Sequence, residues 1–166
     1  MGRKDGTGGT PATVALSRAG VAFDLHPYEH AGGGGQHAYG LEAVAALGLG
    51  PAEVFKTLVA RVDGRLVVAV VPVSGSLDLK ALAAAVGGKR AELAEPADAE
   101  RATGFVVGGI SPVGHRTRLP VVVDETATAL PRVYVSAGRR GLQMSLDPSD
   151  LVAVTGATVA PVGRSG

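Results

Sequence analysis

The stretch Val54-Phe55-Lys56-Thr57-Leu58-Val59-Ala60-Arg61-Val62-Asp63-Gly64-Arg65-Leu66-Val67-Val68-Ala69-Val70-Val71-Pro72 decides the fold. Asp63 and Gly64 both tolerate positive φ and stand between two runs rich in β-branched residues, which predicts a β-hairpin with a two-residue turn. The chain continues through Ser74-Gly75-Ser76-Leu77-Asp78-Leu79-Lys80. Lys56 breaks the apolar run. Strand alternation places it on the face of Val54 and Leu58, where a cation needs a partner or a wet cavity. It has two readings: a strand-end lysine whose stem packs while its ammonium reaches water, or a lysine facing a cleft that holds an anion such as a phosphate. Thr57 points to the opposite face, so the two residues can serve one site only at a strand end or a bulge.

Composition narrows the function classes. With 166 residues and 46% hydrophobic content the chain supports one domain with a substantial core. A net charge of +1 leaves no global attraction for nucleic acid, so any RNA contact must be local and no DNA partner is expected. The absence of cysteine excludes disulfides, thiolate metal sites and a cysteine nucleophile. Residues 1–9 are polar and glycine-rich, without the apolar core of a signal peptide, and no run has the length and purity of a membrane span. A cytoplasmic location without a membrane partner is therefore expected. Aromatic residues are only 4% of the chain, which leaves Val, Leu and Ala to form the core and makes the three tyrosines candidates for a site.

Outward from the hairpin, residues 1–9 read as a disordered leader and 161–166 as a fraying tail. Thr10-Pro11 is a helix start and Gly20 its stop. Residues 21–25 alternate as a strand and run into the loop His26-Pro27-Tyr28-Glu29-His30. His26 and His30 have metal-site spacing, but Pro27 interrupts a helix there; a metal-dependent hydrolase using His26, His30 or His37 is a distant alternative. The glycine run 32–35 lacks the closing Gly-Lys-Ser/Thr of a phosphate loop and reads as a lid or an insertion. Residues 41–47 have helical spacing. Asp78 caps a helix whose apolar stripe is Leu79, Leu82, Ala83 and Val86, with Lys80 on the solvated side. A weak strand over 90–93 and a short helix over 96–102 follow. The loop from Thr103 to Gly114 is glycine-rich and can present N–H groups to an oxyanion, although a plain strand turn is equally natural. His115, Arg116 and Arg118 form a small basic cluster before a strand over 119–124. Strands over 132–136 and 142–146 flank a basic tip, 148–154 is a helix and 157–160 a last strand. Ser136, where its strand enters the turn, can orient a substrate or bond turn backbone.

Seven of these segments, in order, resemble one family. Thr10-Pro11-Ala12, Tyr28-Glu29-His30, Val54-Phe55-Lys56-Thr57-Leu58, the segment from Val71 to Lys80, Arg101-Ala102-Thr103-Gly104-Phe105, Gly108-Gly109-Ile110-Ser111-Pro112 and the segment from Tyr134 to Leu142 are together similar to the YbaK-type aminoacyl-tRNA deacylases. These are free-standing relatives of the editing domain of bacterial prolyl-tRNA synthetase. The resemblance covers about residues 10–160. It implies a single mixed α+β domain whose curved, barrel-like mixed sheet is flanked by helices, in accord with the alternation above.

The activity implied is trans-editing: cleavage of the ester joining a wrong amino acid, usually cysteine, to the 3′ end of tRNA(Pro). The alternatives are an Ala-tRNA(Pro) deacylase and a non-catalytic module on the same fold that binds tRNA ends or proteins. By resemblance Lys56 is the essential lysine and contacts the tRNA 3′ end, Gly109 lies in the loop facing the reacting carbonyl, and Ser136 matches the serine ending the late strand. Tyr28, Tyr39, Thr57, Ile110, Ser111 and Arg139 are the implied substrate contacts. Gln143 stands where the YbaK-type pattern carries an aspartate. No metal or other cofactor is expected, and prolyl-tRNA synthetase is a candidate partner. An aminoacyl ester is already activated, so the site has mainly to position the 3′ end and stabilise charge on the carbonyl oxygen. A cysteinyl substrate can supply its own thiol as nucleophile, whereas an alanyl one needs water.

Overall fold

In the computed structural model, which describes residues 9–29 and 36–165 apart from the side chains of 36–39, the hairpin forms as its sequence predicts. Strands β2 (Phe55–Val62) and β3 (Arg65–Pro72) pair antiparallel from Phe55↔Pro72 to Val62↔Arg65. Asp63 and Gly64 turn the chain with φ of 47° and 86°. Positive φ at both turn positions matches the right-handed twist of the flanking strands.

This ribbon is the middle of a five-stranded mixed sheet of order β5-β2-β3-β6-β9, with β5 at Ala91–Leu93, β6 at Val121–Asp124 and β9 at Thr158–Ala160. Strands β6 and β9 run parallel to β3. A second, antiparallel sheet has the order β1-β8-β7, from Asp24–Pro27, Leu142–Leu146 and Val133–Arg139. A parallel bridge between Val54 and Tyr134 joins the start of β2 to β7, so the two sheets curve round a common interior without closing. The result is a mixed α+β, barrel-like domain.

The alternation of the hairpin sorts its residues between two cores. Phe55, Val59, Val68 and Val70 face the second sheet and pack with Leu16, Val133, Val135, Leu142, Met144, Leu146 and Leu151. Ala60, Val62, Val67, Ala69 and Val71 face the other way, onto Leu82 and Ala83 of helix α3 (Leu79–Ala85). The helices begin where side chains satisfy free N–H groups. Thr10 caps α1 (Pro11–Arg18) in a capping box with Thr13, Asp78 caps α3 by accepting from Ala81 N–H, and Asp147 caps α5 (Pro148–Thr155). Helices α2 (Gln36–Leu47) and α4 (Pro96–Thr103) complete the set.

Two expectations are corrected. The first strand starts at Asp24 rather than at residue 21, because the Val21 N–H returns to the Leu16 carbonyl as the end of α1 and the ladder with β8 begins at Asp24↔Ser145. His26 and Pro27 are consequently strand residues. The end of the chain does not fray through Ser165. Strand β10 (Gly163–Ser165) pairs antiparallel with β4 (Gly75–Leu77), and Val162 before it is fully buried. Asp124, 3% exposed, fastens this segment: its Oδ1 accepts from the N–H groups of Val162 and Gly163 at 2.9 and 2.7 Å, and its Oδ2 from the N–H and hydroxyl of Thr126. Residues 1–8, His30 and the glycine run 32–35 lie outside the described residues, as do the side chains of His37 and Tyr39.

Candidate active site

Where β2 begins, the two sheets diverge and leave a cavity of about 40 Å³. It is lined by Gly40, Val54, Phe55, Lys56, Thr57, Gly108, Ile110, Ser136 and Gln143. Lys56 and Thr57 point to opposite faces of β2, yet both reach the cavity because it lies at the strand's end.

Lys56 is half-buried, and burial pulls its pKa below the usual lysine value. Its Nζ donates to the Gly75 carbonyl at 2.9 Å. Among the described residues no carboxylate pairs with it, and none lines the cavity. A desolvated cation whose one acceptor is a neutral carbonyl keeps donors, and most of its charge, for a ligand. Ser136 stands on the facing wall, its Oγ accepting from Gly138 N–H at 3.1 Å across a β-bulge.

The glycine loop forms a third wall through Gly108 and Ile110. Gly109 itself is not a lining residue. Its N–H is spent on the Val106 carbonyl at 2.8 Å, and a Cβ there would lie 2.8 Å from the Arg139 backbone. Glycine at 109 thus lets the loop lie directly against the end of β7. Ser111 is fully buried behind this loop, where its hydroxyl accepts from Val113 N–H and its carbonyl faces His115 Nε2 at 2.7 Å. Arg139 is exposed at the end of β7 and does not line the cavity; its backbone lies against the glycine loop at Gly109.

Tyr28 is not a lining residue. Its backbone N–H donates to the Gly141 carbonyl at 2.9 Å, and burial, the largest influence, pushes the pKa of its phenol up, with nearby Glu42 adding to the rise and Gly141 and Gln143 opposing it. Gln143 was expected only as a departure from the family pattern. It is 7% exposed, and its Oε1 has no hydrogen-bond partner among the described residues. A lone amide among Leu142, Met144 and Leu146 is the signal that sequence reading left unused. Gly40, Val54, Phe55 and Gly108 are likewise lining residues absent from the expected set.

His26 is occupied elsewhere. Its Nε2 lies 2.8 Å from Ser145 Oγ and its ring 5.1 Å from that of Tyr134, and burial lowers its pKa. Among the described residues no three His, Asp or Glu side chains converge as metal ligands. A larger open groove, about 450 Å³, runs past His115, Arg116 and Arg118 to the end of α5, and none of the expected site residues lines it. We place the candidate site at the smaller cavity, because that is where Lys56, Thr57, Ile110 and Ser136 are brought together. No helix among the described residues is long and apolar enough to cross a membrane.

Comparison with known proteins agrees with this fold. A curated Enterococcus faecalis protein named "Putative Cys-tRNA(Pro)/Cys-tRNA(Cys) deacylase EbsC" is 40% identical over 124 residues, 73% of this chain and 75% of the relative. An Escherichia coli K12 protein named "Multifunctional Ser/Thr-tRNA deacylase ProXp-y" is 38% identical over 73 residues, 42% of this chain and 44% of its own length. A solved structure described as "a putative trans-editing enzyme for prolyl tRNA synthetase" superposes with a TM-score of 0.81 at 28% identity, over 93% of this chain and 95% of the other. That of the hypothetical protein APE2540 gives 0.83 at 27% identity, over 93% and 99%. The profile of the aminoacyl-tRNA editing domain matches residues 36–154, which span the cavity walls from Gly40 to Gln143, and the chain belongs to that family.

Proposed function

We propose that this chain is a trans-editing deacylase that cleaves the ester of mischarged tRNA(Pro), with Cys-tRNA(Pro) as its leading substrate. The observation carrying this reading is Lys56, a half-buried cation without a carboxylate partner among the described residues, at a small cavity shared with Ser136 and the glycine loop. Such a charge suits the terminal phosphate or ribose of a tRNA 3′ end. Gly108 and Ile110 line the cavity, and neither N–H is bonded within the described residues, so these groups, rather than that of Gly109, are available to a carbonyl oxygen as it becomes an oxyanion.

In the cysteinyl reaction the substrate thiol gives up its proton and its sulfur attacks the ester carbonyl. The bond to the ribose oxygen breaks, that oxygen takes up a proton, and a cyclic thiolactone leaves. Water takes the place of sulfur for other side chains. Ser136, already accepting from Gly138 N–H, retains its hydroxyl hydrogen for the substrate. Prolyl-tRNA synthetase, a protein that handles the same tRNA, is the proposed partner.

Release of amino acid from Cys-tRNA(Pro) and Ala-tRNA(Pro), with Lys56→Ala as control, tests the proposal. Wild type should cleave the cysteinyl ester faster, with thiolactone among the products, and the variant should lose the activity while keeping its fold. Near-normal turnover by Lys56→Ala would remove the foundation of the reading.

A further inference from the structure

We propose that Gln143 makes the cavity selective for aminoacyl groups whose side chain carries a hydrogen-bond donor on its β carbon, the seryl and cysteinyl class, over alanyl. The inference rests on the deacylase reading above and specifies which side chains the site accepts.

Gln143 faces Ser136 across the β7–β8 ladder and His26 across the β1–β8 ladder, so its side chain shares the Ser136 face of the sheet. A primary amide offers two N–H donors and a carbonyl oxygen. Gln143 lines the cavity beside Ser136. Its Oε1 is left as a buried acceptor that no described residue satisfies, in a side chain 7% exposed at the cavity wall. A buried carbonyl oxygen without a partner is unfavourable until a donor reaches it.

Burial also orders the cavity by depth. Gly40, Lys56, Gly108 and Ser136 are partly exposed and mark its mouth, whereas Val54, Phe55, Thr57, Ile110 and Gln143 are buried and mark its closed end. With the ribose and phosphate held at the mouth by Lys56, the aminoacyl side chain is the part that extends to Gln143. The volume of about 40 Å³ suits a small side chain. A seryl hydroxyl or a cysteinyl thiol donates to Oε1, the hydroxyl more strongly. An alanyl methyl group excludes water from the same oxygen and offers nothing in return. Sites built to bond a polar substrate group reject the analogue lacking it for this reason, and for one neutral acceptor the expected discrimination is about 10- to 100-fold.

The test is kcat/KM for tRNA(Pro) charged with serine, cysteine or alanine, measured on the full chain and on two variants. Gln143→Met keeps the length and removes the amide acceptor, whereas Gln143→Glu keeps acceptor oxygens. Wild type should prefer seryl over alanyl by the factor above, Gln143→Met should reduce that preference to about threefold or less, and Gln143→Glu should restore much of it. An unchanged preference in Gln143→Met overturns the proposal, as does an equal loss on all three substrates, which would make the α-ammonium common to them the partner of Oε1. If Gln143→Met does not fold, non-hydrolysable seryl- and alanyl-amide analogues of the terminal adenosine are compared on wild type, and equal Kd values overturn it. Failure of wild type to release any amino acid removes the deacylase reading and this proposal together, whereas rapid release with no preference among side chains removes only the latter.

Discussion

Asp124 and Gln143 are both buried polar side chains on strands, 3% and 7% exposed, yet their surroundings differ in kind. Both oxygens of Asp124 are satisfied, by the N–H groups of Val162, Gly163 and Thr126 and by the Thr126 hydroxyl. Among the described residues Oε1 of Gln143 has no partner, and Lys56, on the same cavity, has only a neutral carbonyl. The carboxylate completes a network internal to the fold, and its work is finished when the chain folds. The amide and the lysine hold capacity that the fold does not use. Under the function proposed above, the degree of internal satisfaction, more than burial or charge, separates the residues that hold the structure from those assigned to the substrate.

Variants can break that contrast. Asp124→Ala strands several buried N–H donors and should cost about 3–4 kcal/mol of stability, a fall of roughly 10 °C in Tm. Deacylation by the fraction that remains folded should persist; a normal melting curve with lost activity would reverse the roles assigned to the two regions. Lys56→Ala should do the opposite. It removes a charge-assisted contact worth about 2–3 kcal/mol in kcat/KM, while thermal denaturation should move little, because the lysine gives up only one hydrogen bond to a neutral carbonyl.

The weakest expected signal comes from His26, an intermediate case: it is partly buried and bonded to Ser145, with Asp24 and Arg132 nearby. Burial holds its folded pKa below the ordinary 6.5, with Asp24 opposing and Arg132 adding to the shift. Between the two values the unfolded chain binds more protons, so stability should be flat above pH 6.5 and decline as pH falls through that window towards the folded value. His115, lowered by burial against a bond to the Ser111 carbonyl, acts in the same direction. Denaturant melts at pH 7.5 and at 5.5, compared between wild type and His26→Gln, check this, and a variant as acid-sensitive as wild type would assign the slope to other groups.

What sequence reading could reach follows from the range of each interaction. The Asp63-Gly64 hairpin, the Thr10 and Asp78 caps and the helix opening at Pro148 are local, and each is determined by residues within a turn of one another. The pairing of β4 with β10 joins three-residue strands from distant parts of the chain, and nothing in Gly75-Ser76-Leu77 identifies its partner. The start of β1 was displaced because Val21, apolar and strand-like, is claimed by the Leu16 carbonyl. In the site, Lys56 was legible as a charge inside an apolar strand. That Gly109 spends its N–H on Val106, and that Gln143 lacks a partner for its oxygen among the described residues, depends on backbone paths that composition and periodicity do not encode.

The Lys56 ammonium is tethered to Gly75, and Gly75 lies so close under β10 that any side chain there would collide with the Arg164 carbonyl. The reach of the ammonium is therefore set in part by the last turn of the chain, which behaves as a mooring line for a group remote from it in sequence. Trimming residues 164–165, which leaves Val162 and Gly163 bonded to Asp124, should slacken that line and raise KM, although every cavity wall keeps its own side chain.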